Sequence, residues 1–289
     1  MERTAALVQG QNTTLHRHNL FFFPSPEEAN NERKIGSRFD MTGGSPVQRN
    51  LMIITLLSLL ALSGCRAAFY FSQGNQHHER GQYAEAIADF DEAIRLRPDD
   101  ADAYLNRGRA HNGLGDYEDA IADYDEAIRL RPDYVKAYNY RGAVYADLSR
   151  YEDAIANFDE AIRLRPDLAE AYFIRGVTYA HLGRYGEAIA DFDEAIRLRP
   201  DLAEAYRNRG VAHANHGRYE KAIGDFDEAI RLQPDDVAAY FIRGASHVEL
   251  GRYEKAISDL ETALELAQTA GNDGLAATIE EALESVKNP

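Results

Sequence analysis

Five prolines, Pro98, Pro132, Pro166, Pro200 and Pro234, recur at a spacing of 34 residues, and each closes a phrase close to D-F-D-E-A-I-R-L-R-P. A sequence that repeats itself at this period folds as a stack of equivalent units, each burying its apolar side against its neighbours. The same register aligns Gly74, Gly108, Gly142, Gly176, Gly210 and Gly244, and the large apolar column Phe90, Tyr124, Phe158, Phe192, Phe226 and Leu260. Alanine columns run through Ala86, Ala120, Ala154, Ala188, Ala222 and Ala256 and through Ala93, Ala127, Ala161, Ala195, Ala229 and Ala263. Within a unit the apolar residues fall three and four apart, as in Ala120, Ile121, Tyr124, Ala127 and Ile128, which is helical spacing.

Each unit therefore reads as two helices. The break between them falls at Gly115, Ser149, Gly183, Gly217 and Gly251, and the break between units falls at the proline, which has no N–H to donate. Asp167-Leu168-Ala169-Glu170 and Asp201-Leu202-Ala203-Glu204 have the spacing of a capping box and are expected to start the next helix.

The pattern Tyr-x-x-Arg-Gly-x-x-His or Tyr, followed by Ala-x-x-x-Phe or Tyr, Ala and Pro, resembles the tetratricopeptide repeat. The resemblance implies an all-α, right-handed α-solenoid of six helix-turn-helix units at 67–100, 101–134, 135–168, 169–202, 203–236 and 237–270. The first unit is irregular in its opening helix and the last lacks the proline. Leu275 to Val286 reads as one further amphipathic helix that covers the last unit as a cap, and 271–289 would alternatively serve as a dimer contact. The column Arg107, Arg141, Arg175, Arg209 and Arg243 departs from the family, which more often has leucine there; it is expected to form ion pairs with the acidic second helices.

The formal charge of −16 is built into the repeat: residues 101–134 hold eight acidic side chains against four arginines. A nucleic-acid partner needs a basic stripe to neutralise phosphates, and this chain has none. There is no nucleophile context, no glycine-rich phosphate loop and no acid pair standing apart from the repeat, so neither catalysis nor a cofactor is expected. His77, His111, His213 and His247 share a column that Tyr145 and Tyr179 fill in other units, so they read as packing residues and not as metal ligands.

Upstream, Arg49 and Asn50 precede the apolar run Leu51 to Leu62, which ends in Leu62-Ser63-Gly64-Cys65, the only cysteine. This resembles a bacterial lipoprotein signal peptide spanning 41–64, in which Cys65 is lipidated and begins the mature chain. The run is short for a bilayer core of ~30 Å. Extending it through Phe71 as an uncleaved anchor places Arg66 in the apolar layer at ~2.5 to 3.5 kcal/mol. Met41 is the natural start for such a signal, and residues 1–40 are expected to be untranslated or disordered. The resemblance places the protein in the bacterial envelope, at the outer membrane where there are two, since Arg66 is not aspartate. A chain translated without the signal would instead be a cytosolic scaffold or co-chaperone.

Near-identical units also reveal where they differ. In the repeat family the most variable first-helix columns face a concave groove that holds a peptide or partner helix. Here those columns supply Phe71, Leu105, Asn139, Phe173, Arg207 and Phe241, then Asn106, Tyr140, Ile174, Asn208 and Ile242, then Asn75 and Arg109. The resemblance implies that exposed Phe173, Ile174, Phe241 and Ile242 anchor a protein partner. Some family members clamp a C-terminal carboxylate with five residues. Asn75, Asn106 and Lys136 fall on three of those places, but Phe71 and Tyr140 replace its basic residues. The function implied is a non-catalytic scaffold that docks a cell-wall enzyme or assists secretin or pilus assembly. Homo-oligomers are left open.

Overall fold

The computed structural model describes residues 46–287, and the expectations for residues 1–40 and for the Met41 start lie outside them. Among the described residues there are thirteen α-helices and no strand. The first, α1 (Pro46–Glu79), runs without a break through Cys65. Residues up to Ala61 belong to one unit of the chain and residues from Leu62 onward to another. No helix among the described residues is long and apolar enough to cross a membrane.

From Leu62 onward the chain is a run of helix pairs. The C-terminal part of α1 pairs with α2 (Tyr83–Leu96), then α3 (Ala101–Leu114) with α4 (Tyr117–Leu130), and α5 (Val135–Asp147) with α6 (Tyr151–Leu164). Next come α7 (Ala169–His181) with α8 (Tyr185–Leu198), α9 (Ala203–Asn215) with α10 (Tyr219–Leu232), and α11 (Val237–Glu249) with α12 (Tyr253–Thr269). A last helix, α13 (Asp273–Lys287), follows.

The helix ends obey the local chemistry of the sequence. Each second helix stops two residues before its proline, because the residue preceding proline is driven out of the helical region: Arg97 has φ −140° and ψ 82°, and Arg165 φ −141° and ψ 91°. The turn inside each unit needs a left-handed residue, which glycine supplies without a Cβ clash, as at Gly115 (φ 83°). In unit three the same place is held by Ser149 at φ 58°, the only non-glycine residue with positive φ among those described. Ser149→Gly is expected to raise stability by about 1 kcal/mol by removing that strain, read as an upward shift of the thermal midpoint.

The capping boxes do not form. The N-caps of α7 and α9 are Leu168 and Leu202, with no side-chain cap bond, so Asp167 and Asp201 fall outside the helices. Leu168 packs against the core of Val135, Phe158 and Ala161, and this burial sets the helix start in place of the aspartate. Side-chain caps form at two of the three aspartates that take the N-cap position: Asp100 accepts from the Asp102 N–H at 3.2 Å and Asp236 from the Ala239 N–H at 3.1 Å, while Asp116 makes none.

The core is a chain of small clusters, each built from a helix pair and the element that follows it. Phe90, Tyr124, Phe158, Phe192 and Phe226 are fully buried, and each ring lies where a Cβ on its unit's helical glycine would sit, as with Phe158 against Gly142. Glycine is thus required for the two helices to approach in these five units. Around α13, Ala276, Ile279 and Leu283 close onto Leu260, Ala263 and Ala267, while Thr278, Glu280, Glu281 and Glu284 face outward. A polar outer face is what ends a solenoid, so α13 caps the array.

The arginine column ties units together. Arg107 bonds Asp123 of its own unit with Nε and Nη2, the latter at 2.6 Å, and its Nη1 reaches back to Asp91 of the preceding unit. Arg175 pairs likewise with Asp191 and Asp159, Arg209 with Asp225 and Asp193, and Arg243 with Asp259 and Asp227. In unit three the buried partner is neutral: Arg141 Nε donates to Asn157 Oδ1 at 2.8 Å, and Nη1 to Asp125. Each of these arginines also lies over the tyrosine three residues earlier, at 5.3 to 5.6 Å. Burial by itself lowers the basicity of Arg107, but its bonds to Asp123 and then Asp91 more than offset this and raise it. Burial pushes the Asp123 and Asp191 carboxyls up in spite of their arginines.

Candidate partner-binding groove

Successive first helices approach one another: α3 meets α5, α5 meets α7, α7 meets α9 and α9 meets α11. No such approach joins successive second helices among the described residues. The first helices therefore line the inner side of the stack, and their inner stripe is the continuous surface available to a partner. Along each helix the stripe follows the spacing i, i+4 and i+7: Arg109 and Asn112 on α3, Phe173, Val177 and Ala180 on α7, Phe241, Ala245 and Val248 on α11.

The variable columns are less free than their variation implies. Leu105 is 3% exposed and belongs to the core around Tyr124; Asn139 is 6% exposed. Both lie beneath the surface. Phe173, Ile174, Phe241 and Ile242, expected to be exposed, are half-buried. The first column packs on its own unit, with Phe71 against Phe90 and Phe173 against Phe192, each pair 5.9 Å between ring centroids. The second column reaches back to the preceding unit: Tyr140 stacks on Tyr124 at 6.1 Å, Ile174 joins the Phe158 cluster and Ile242 the Phe226 cluster.

The polar members are engaged too. Arg207 pairs with the buried Asp236 at 3.0 Å, and Asn208 Nδ2 donates to the Glu204 carbonyl at 2.8 Å. Asn106 Nδ2 donates to the Asp102 carbonyl at 3.0 Å, and its Oδ1 accepts from Arg109 at 2.9 Å. Of the five clamp places, Asn75 is half-buried and Lys136 exposed, while Phe71 and Tyr140 are committed to ring packing.

One cluster was not visible in the sequence. Asp102 accepts from Arg131 Nη2 at 2.9 Å and from the Tyr134 hydroxyl, and the Arg131 guanidinium lies 4.2 Å from the Tyr134 ring centre. Its hydrogen bond from Arg131 holds the Asp102 carboxyl below its ordinary value, against burial. The partners are 29 and 32 residues apart, at opposite ends of unit two, so helical spacing does not display them. A cleft of about 170 Å³ opens beside it, lined by Ala68, Phe71, Arg97, Asp100 and Asp102.

The histidine column sits behind the groove. His77 Nδ1 lies 2.7 Å from Asp89, whereas the Nε2 atoms of His111, His213 and His247 stand 3.9 to 4.0 Å from Asp123, Asp225 and Asp259. Burial lowers the pKa of His213 and His247. Among the described residues no three His, Cys, Asp or Glu side chains gather as a metal site. Cys65 is exposed and carries a free thiol.

No curated protein matches the chain. Solved structures do. It superposes on the MamA protein with a TM-score of 0.56 at 26% identity, over 60% of this chain and 94% of that one. It superposes on YrrB, a TPR protein with an unusual peptide-binding site, with a TM-score of 0.57 at 24% identity, over 66% of this chain and 97% of that one. A tetratricopeptide repeat protein from Parabacteroides merdae ATCC 43184 gives a TM-score of 0.60 at 19% identity, over 77% and 94% of the two chains. The tetratricopeptide repeat family's sequence profile matches residues 71–135, 141–203, 186–236 and 207–273, and a second profile of the same repeat matches 123–156. Helix pairs, glycine and proline columns and profile coincide over the array, and the chain belongs to the tetratricopeptide repeat family, whose fold is a scaffold for protein–protein interaction.

Proposed function

We propose that this protein is a non-catalytic adaptor, tethered to a bacterial envelope membrane through lipid on Cys65, that docks another envelope protein along the inner stripe of its first helices. The observation that carries the docking reading is the continuity of that stripe. Half-buried apolar side chains at Phe71, Phe173 and Phe241 recur along it, with polar stretches between, so a partner in extended or helical form meets anchors at intervals. The tether rests on Leu62-Ser63-Gly64-Cys65 following an apolar run, and on the exposure of Cys65. Ala67 is buried and Phe71 packs on Phe90, so a chain starting at Cys65 keeps the contacts of the first unit. Two or more acyl chains hold such a protein stably at a membrane.

The partner class is a cell-wall enzyme or a component of secretin or pilus assembly. The tether is tested by intact mass and membrane fractionation of the protein and of Cys65→Ala in a bacterial host. The expected result is a mature species beginning at an acylated Cys65 in the membrane fraction, lost altogether in the variant. An unmodified chain in the soluble fraction refutes the tether and leaves a cytosolic scaffold.

A further inference from the structure

We infer that units two and three carry a subsite for the carboxylate side chain of an acidic, extended peptide, built from Arg109, Tyr140, Tyr124 and Lys136. The inference rests on the groove reading above and names the partner's chemistry within it.

Eight arginines among the described residues are half-buried: Arg107, Arg109, Arg131, Arg141, Arg175, Arg207, Arg209 and Arg243. Seven of them form ion pairs with aspartates. Arg109 alone has no carboxylate within ion-pairing distance; it donates to the neutral Asn106 at 2.9 Å and lies 5.4 Å from the centre of the Tyr140 ring. A guanidinium partly removed from water and matched only by neutral groups favours an added anion. It stands on the inner stripe, in a column whose other members are Asn75, Ala143, Val177, Val211 and Ala245, so the charge is particular to this unit. Lys136, exposed and four residues before Tyr140 on α5, adds a second positive charge to the same face.

An independent observation marks the same place. The column that holds phenylalanine in four units and leucine in the last holds Tyr124 in unit two. Tyr124 is 0% exposed and its hydroxyl has no hydrogen-bond partner. Its ring stacks on Tyr140, the same ring that carries Arg109 on its face. Burying an unpaired hydroxyl where phenylalanine fits is unfavourable, and a bound carboxylate that parts the Arg109–Tyr140 contact supplies the missing acceptor. Asn139, beside Tyr140, keeps a buried acceptor, Oδ1, without a donor, which suits a peptide N–H.

The test is selection of decapeptides from a random library by the full chain, followed by binding of each selected peptide and its Glu→Gln or Asp→Asn counterparts. The expected result is enrichment of acidic residues and loss of about tenfold in affinity on amidation, as for a charge-assisted bond. Arg109→Gln should abolish the enrichment. Tyr124→Phe should weaken acidic peptides about threefold or more while raising the thermal midpoint of the free protein, since the phenylalanine of the other units fits there. Peptides selected without acidic preference, or an acidic preference that survives Arg109→Gln, overturn the subsite and leave the groove standing. Failure of the wild-type chain to select any peptide overturns the groove reading and the subsite with it.

Discussion

Arg175→Leu is expected to destabilise the array by about 3 to 5 kcal/mol, whereas Arg141→Leu, the same change one unit earlier, costs about 1 to 2 kcal/mol. The difference lies in what each arginine leaves behind. Arg175 holds Asp191, whose side chain is 8% exposed, through two bonds of 2.7 and 2.8 Å. Without the guanidinium that carboxylate remains buried and uncompensated. Arg141 faces Asn157, which keeps its own bond to the Asp153 carbonyl at 2.8 Å, and its charged partner Asp125 is exposed and returns to water. Leucine restores the apolar volume in both, so charge is what separates them.

The linkage has a definite sign. Burial already raises the Asp191 carboxyl, and removing Arg175 raises it further, so the folded-state value stands above that of the unfolded chain. The deficit of Arg175→Leu then grows as pH rises above the ordinary aspartate range and shrinks in acid, while that of Arg141→Leu stays flat. Urea midpoints at pH 5 and pH 8 for the two variants measure this. Equal losses in both, independent of pH, would show that the column acts by packing alone.

Gly142→Val is expected to cost about 3 kcal/mol, at the upper end for overpacking of a filled core. A Cβ there falls 2.9 Å from Phe158 Cε1 and 3.1 Å from Asn157 Cβ, and the Phe158 ring is fully buried. Gly244 offers a control, because its aromatic is replaced by Leu260 and the nearest atoms stand at 3.3 Å. Gly244→Ala should change stability by less than about 1 kcal/mol, since better helix propensity offsets slight crowding. Local amide exchange reads both: α5 and α6 lose protection in Gly142→Val, α11 and α12 keep theirs in Gly244→Ala.

Much of this architecture is legible in the sequence because its determinants lie within one unit. Pro98 and its repeats, the glycines facing Phe90 and its repeats, and the Arg107–Asp123 pair are each read from a single 34-residue phrase. What arises from stacking is not. Asp91 as a second partner of Arg107 joins neighbouring units. The same cause hid how far the variable columns are packed: Leu105 and Asn139 are buried, and Tyr140 and Ile174 turn back onto the preceding unit. The Asp167 and Asp201 caps failed because Leu168 and Leu202 set the helix start.

The claim that the first-helix stripe is the docking surface is tested most directly by photo-crosslinking in the native host. A crosslinker is placed at Ala143 or Ala245 on the stripe, or at Ala156 or Ala190, exposed positions on second helices. A single partner adduct from the stripe positions and none from Ala156 or Ala190 is the predicted result. Adducts from the second helices, or the same adduct from both faces, would contradict it.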